Sequence, residues 1–119
     1  MIARAGAAAV LVLVMGAGCA DGARDAPITT VRIATGGSDG VGFSFGETLA
    51  RVHNETGGNI RLTAEASAGS TSNVDALDDG KVDLALARAD VVYTAFVNGT
   101  PTSQRPHTRL RGLASVWGG

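Results

Sequence analysis

The sequence predicts an α/β domain built on one parallel sheet, and three observations predict it. Strand-like runs at residues 31–34, 60–66, 82–87 and 113–117 are separated by segments with helical spacing. The resulting order, β-α-β-α-β-α-β, is that of right-handed crossovers returning to a parallel sheet. The composition is that of a folded domain: 119 residues, 45% apolar and 18% charged, enough for one core and too apolar for a disordered chain. The five aromatic residues, Phe43, Phe45, Tyr93, Phe96 and Trp117, leave that core to Ala, Val, Leu and Ile. Ten basic against eleven acidic residues give a net charge of −1, which excludes a strongly electrostatic nucleic-acid binder. A single cysteine excludes a disulfide framework and a cysteine-based zinc site.

Residues 1–19 read as an export signal rather than as part of the fold. Arg4 is the sole charge, an apolar run of Ala, Val, Leu and Met follows, and Gly16-Ala17-Gly18 precede Cys19. The run is short for a bilayer span and suits a signal h-region. Small residues before a cysteine are the pattern of a bacterial lipoprotein signal, in which Cys19 becomes the lipidated N-terminus. Cleavage after Ala20 by the ordinary signal peptidase is the alternative. Either way the protein is expected outside the cytoplasm, at the cell surface or in the periplasm. Residues 20–30 carry Asp21, Gly22, Asp25 and Pro27 without periodicity and read as a tether.

The first strand, residues 31–34, alternates as Val31-Arg32-Ile33-Ala34 and stops at Thr35-Gly36-Gly37. Phe45, Leu49 and Val52 recur at i, i+4, i+7 and predict a helix with that apolar stripe inward, ended by Gly57-Gly58. Residues 60–66 alternate again, with Ile60, Leu62 and Ala64 on one face. Ser70 is the expected N-cap of a second helix running to Asp79, with Gly80 as its stop. Residues 82–87 are mostly apolar, the signature of a strand covered on both faces. Asp90 is the expected cap of a third helix with Val92 and Phe96 inward, residues 98–109 a polar loop, and residues 113–117 a final strand.

Ligands of such sheets bind at the carboxyl ends of the strands. The loop Thr35-Gly36-Gly37-Ser38-Asp39-Gly40-Val41-Gly42 holds four glycines before a helix, an arrangement that exposes backbone N–H groups to an anion. Its plainer reading is a flexible turn. Arg88 closes the third strand beside a helix start, where a guanidinium can grip a carboxylate through two bonds. The plainer reading there is a surface ion pair with Asp90 or Asp39.

Two motifs point elsewhere. Gly42-Phe43-Ser44-Phe45-Gly46 matches G-x-S-x-G, but a nucleophile elbow follows its strand directly, and Ser44 lies ten residues beyond Ala34. Gly40-Val41-Gly42 with Gly46 and Glu65 is a loose dinucleotide fingerprint whose third glycine is one position late. No cofactor is expected. His53 and His107 lack metal-ligand spacing, His53 reads as a half-buried surface residue, and Asp78, Asp79 and Asp83 read as a solvated face. Arg105, Arg109 and Arg111 read as a solvated loop and strand edge.

Ile33-Ala34-Thr35-Gly36-Gly37 with Gly40-Val41, then Gly69-Ser70 with Asn73, then Gly80-Lys81-Val82-Asp83-Leu84-Ala85-Leu86 with Ala89-Asp90, stand in an order that resembles the TAXI-type solute-binding proteins of TRAP transporters. The resemblance spans residues 31–117. It implies a periplasmic-binding-protein (type II) fold, of which residues 31–119 would form the N-terminal lobe, truncated before the second. It implies capture of a small organic anion, an amino acid or dicarboxylate, and delivery to a TRAP-type permease, with the protein held at the membrane surface by its lipid anchor. Thr35, Gly36, Gly37 and Phe43 would line the cleft. Gly69, Ser70 and Asn73 would present a helix N-terminus, and Arg88 and Asp90 would close the third side. Arg88 stands where the family usually has glutamine, which implies a more acidic solute. Family members are more than twice as long, so the chain is expected to be a fragment or the product of an interrupted gene. The alternatives are a secreted serine hydrolase using Ser44, and a lipid-tethered interaction protein with no small-molecule ligand.

Overall fold

The computed structural model describes residues 26–117. The expected signal, Cys19 and the first residues of the tether lie outside them. Three strands and three helices alternate: β1 (Thr29–Ala34), α1 (Val41–Asn54), β2 (Ile60–Glu65), α2 (Ser70–Asp78), β3 (Leu84–Ala85) and α3 (Ala89–Asn98). The strands form one parallel sheet in the order β2-β1-β3. β1 pairs with β2 from Thr29↔Ile60 to Ala34↔Glu65, and with β3 at Ile33↔Leu84 and Ala34↔Ala85. The α/β class with a parallel sheet is as the sequence predicts, and it is consistent with the periplasmic-binding-protein lobe that the resemblance implies.

β1 is central because its end carries the most deeply buried strand residues, Ile33 and Ala34. β2 is an edge strand, and α1 covers its open side. The Asn54 side chain donates to the Leu62 carbonyl at 2.9 Å and accepts from the Leu62 amide at 2.8 Å. His53 Nε2 donates to the Ile60 carbonyl at 3.2 Å. Two side chains thus take the place of a neighbouring strand, which blunts the edge against pairing with another chain. His53 is half-buried, as expected.

The face that α1 turns to the sheet is not the predicted one. Gly46 and Ala50 are its buried residues, while Leu49 and Val52 are exposed. The reason is the closeness of the helix to β2 and to Thr35, just past the end of β1: a Cβ at Gly46 would overlap the Thr35 side chain and meet Ala64. Small residues face the sheet so that the backbones approach, and the larger apolar residues turn outward. Phe45 meets Trp117 edge-on, with ring centroids 5.8 Å apart.

The second core lies between α2, α3 and the trailing segment. Val74, Ala95 and Leu110 are buried there, with Leu77, Ala87, Val91 and Val92 against them. Phe96, expected inward, is exposed, because Ala95 takes the inner position of α3. The N-caps also differ from expectation. Gly69 caps α2, so Ser70 is the first helical residue, and Arg88 caps α3, which places Asp90 in its first turn. The stop of α2 is as predicted. Gly80 adopts φ +72°, its amide donates to the Leu77 carbonyl at 3.1 Å, and the Lys81 amide donates to the Ala76 carbonyl at 2.8 Å, the paired bonds of a Schellman ending.

The predicted fourth strand is absent among the described residues. Residues 111–117 are irregular and exposed, and the sheet ends at β3. The stretch beyond α3 is the polar loop that the sequence predicts, largely exposed, but it is anchored in the interior. Thr100 and His107 are buried, and the Thr100 amide and Ser103 carbonyl close a tight turn at 2.8 Å. Asp78 is likewise buried, contrary to the solvated face expected for Asp78, Asp79 and Asp83, because Arg105 and Arg109 reach back to it.

Candidate functional site

The carboxyl ends of the three strands lead into three loops, and hydrogen bonds fasten those loops to one another. The Thr35 hydroxyl donates to the Glu65 carbonyl at 2.7 Å, and the Ser67 amide donates to the Gly36 carbonyl at 2.8 Å. These bonds tie the first loop to the second. Asn73, which is fully buried, donates through Nδ2 to the Thr35 carbonyl at 2.8 Å and to the Leu86 carbonyl at 2.7 Å. One side chain on α2 therefore clamps the ends of β1 and β3. The Ser70 hydroxyl accepts from the Arg88 amide at 3.0 Å, which ties the second loop to the third.

Each loop opens a helix, and none of the three helices has a side-chain cap on its first turn. The leading amides of a helix have no intrahelical acceptor; apart from the N-cap amides of Gly69, bonded to the Ser67 hydroxyl, and of Arg88, bonded to that of Ser70, those at the sheet's carboxyl edge have no side-chain cap. Helix dipoles make such a place favourable for negative charge. The Arg88 guanidinium grips Asp90 through Nε at 3.1 Å and Nη2 at 2.8 Å, with both side chains well exposed. This is the surface ion pair weighed in the sequence.

The residues expected to form a site fall into two groups. Thr35 and Asn73 are buried and bonded to backbone, and Gly36 and Phe43 are half-buried. Gly37 is exposed at the turn that its carbonyl makes with the Gly40 amide, at 2.9 Å. Gly69, Ser70 and Arg88 belong instead to an open cavity of about 780 Å³ beside the start of α2, whose lining also includes Ser72, Lys81 and Ser103. Asp90 borders a smaller hollow of about 140 Å³ with Thr94 and Thr100. Ser103 had no mark in the sequence beyond being polar, and Lys81 only its place in the Gly80–Leu86 motif.

A cluster below this cavity was also missed. Asp75 Oδ1 accepts from His107 Nε2 at 2.8 Å and from the Thr100 hydroxyl at 2.7 Å, and Oδ2 accepts from the Thr102 hydroxyl at 2.7 Å. Burial pushes the Asp75 pKa up, but the bonds from His107, Thr100 and Thr102 outweigh it and hold the carboxyl below its usual range. His107 Nδ1 lies 2.9 Å from the Arg105 carbonyl. The signal that was available is the spacing of Asp75 and Asp78, one turn apart beside Val74 and Leu77 on a helix with a buried face.

The hydrolase motif acquires no partners. Ser44 is exposed inside α1 and donates to the Gly40 carbonyl at 3.3 Å, His53 is bonded to the end of β2, and His107 is engaged at both ring nitrogens. Gly46 of that motif serves the close contact with Thr35. Among the described residues, no three His, Cys, Asp or Glu side chains are grouped as a metal ion requires, and no helix is long and apolar enough to cross a membrane.

Compared with known families, residues 33–118 match the model described as the NMT1-like family. A comparison with curated proteins finds no match.

Proposed function

The chain belongs to the NMT1-like family, a family of the periplasmic-binding type, and we propose that it is a lobe of an extracytoplasmic binding protein for a small organic anion. The observation that carries the reading is the set of three helix amino ends, free of side-chain caps, opening on one edge of a parallel sheet. Backbone amides there neutralise a carboxylate without burying a full countercharge. Arg88 adds a movable cation: its pairing with Asp90 is exposed, and such pairs cost little to exchange for a ligand. Gly36, Gly37 and Phe43 would contact the solute from the first loop, and Gly69 and Ser70 from the second. Thr35 and Asn73 would act by holding the loops in place.

The finer reading is that of a TAXI-type protein serving a TRAP permease, exported by the signal at residues 1–19 and tethered through Cys19. The order of the Thr35-Gly36-Gly37, Gly69-Ser70 and Ala89-Asp90 motifs supports it. The single lobe offers one wall of a cleft, and enclosure of a ligand by hinge closure takes two.

Titration calorimetry of the full chain with glutamate, 2-oxoglutarate and succinate tests the proposal. Binding of at least one acid, weakened roughly tenfold or more by Arg88→Ala, is expected on the scale of hydrogen bonds to charged groups. Binding that Arg88→Ala leaves unchanged removes Arg88 from the site. Heat from none of the three acids would overturn the assignment.

A further inference from the structure

Residues 100–109 lie along α2 and are fastened to it at two places. The first is Asp75, which takes bonds from Thr100, Thr102 and His107. The second is the buried Asp78 carboxylate, with Arg105 Nη2 at 2.8 Å from Oδ2 and Arg109 Nη2 at 3.5 Å from Oδ1. His107 is fully buried between these carboxylates, 2.8 Å from Asp75 and 3.7 Å from Asp78. Asp79 stands 4.0 Å from Arg105 at the outer side. α3 adds the Ala95 carbonyl, which accepts from the His107 amide at 2.9 Å, and the apolar side chains of Val91, Val92 and Ala95. Thr102 and Ser103 of the same segment, together with Asp75 itself, form one wall of the cavity at the start of α2.

We propose that residues 100–109 form an acid-releasable strap, latched to α2 through Asp75 and His107, which sets one wall of the cavity beside Gly69 and Ser70. The latch depends on Asp75 being an acceptor for three donors. Adding a proton turns an acceptor-only carboxylate into a group that must itself donate, and all three of its partners already use their hydrogens toward it. A buried donor left without its acceptor costs more than the bond it made, so the segment gains by moving into water. The sheet does not share these bonds: β1 and β2 are joined by their own ladder, and Asn54 ties β2 to α1. The strap therefore lets go before the sheet does. The consequence for a bound solute rests on the binding reading above, whereas the strap itself does not.

The test is amide hydrogen exchange of the full chain without solute, corrected for intrinsic rates, at pH 6 and pH 3. The Thr100 and His107 amides, bonded to Ser103 and Ala95, report the strap, and the Thr35 amide, bonded to Glu65, reports the sheet. On acidification, strap protection is expected to fall severalfold while Thr35 stays protected. Asp75→Asn should show the low strap protection already at pH 6, with little further change. Thr102→Val, which removes one bond on the exposed side, should lower strap protection severalfold and serves if Asp75→Asn does not fold. Loss of sheet and strap protection together, or unchanged strap protection in Thr102→Val, overturns the proposal. Exchange requires no ligand, so this result is independent of whether glutamate, 2-oxoglutarate or succinate binds.

Discussion

Asn73 holds the ends of β1 and β3 with two bonds from one amide nitrogen, and the strand ends have no other link of this kind through a side chain on α2. Replacing it by alanine would leave the Thr35 and Leu86 carbonyls without that donor in a buried place. Asn73→Ala should lower stability by about 1–3 kcal/mol, the range for buried groups left unsatisfied, read as a shift of the urea midpoint. Gly46 makes the complementary prediction. A methyl group there meets the Thr35 side chain, so Gly46→Ala should destabilise by about 1–3 kcal/mol through overpacking, despite the better helix propensity of alanine. A gain in stability would show that α1 can move off the sheet without loss. Asp75 carries the pH dependence. Its folded pKa is lowered, so the unfolded chain binds its proton at higher pH than the folded one. Its contribution is then fully present above the ordinary carboxylate range and lost as pH falls through the lowered value. Unfolding in urea between pH 6 and pH 3 should show this fall, and Asp75→Asn should flatten it.

At the scale of elements, the ends of the helices divide into a structural set and a functional set. The C-terminus of α2 is closed by Gly80 in a left-handed conformation, with both Schellman bonds made. Gly80→Ala should cost about 1 kcal/mol, the usual penalty for a side chain in that region, with no effect on anion binding. The amino ends are the reverse case, open and without side-chain caps. Their lack of capping is a small stability cost that leaves N–H groups available to a ligand. The helices also explain a difference in legibility. Apolar spacing located α1 but selected the wrong face, because the spacing rule assumes that the largest apolar residues turn inward. Where a helix must approach a strand closely, glycine and alanine take that face instead, and Leu49 and Val52 are left outside.

For the whole molecule, β1 is the hinge of the arrangement. It is central in the sheet, pairs on both sides, and carries the first loop at its end. Exposed apolar side chains remain on the outer faces, Tyr93, Phe96 and Val97 on α3 among them. The strand-helix alternation, the parallel class, the stop at Gly80 and the positions of the three loops that open the helices were all legible in the sequence, because they follow from local periodicity and from residues with restricted or permissive backbones. The motif order was legible too, and the match to the NMT1-like family over residues 33–118 agrees with a protein of the binding type. Tertiary structure alone decided the rest. It buried Asp75, Asp78 and His107 in one cluster, although they are separated by 32 residues at the Asp75–His107 bond. It also left residues 111–117 irregular rather than adding a fourth strand. The physical reason is common to both: a polar side chain is stable in the interior only beside its partner, and a strand only beside another strand. Those partners are chosen by the folded chain in three dimensions, whereas periodicity along the chain locates an element and marks its inner side only where the largest apolar residues turn inward.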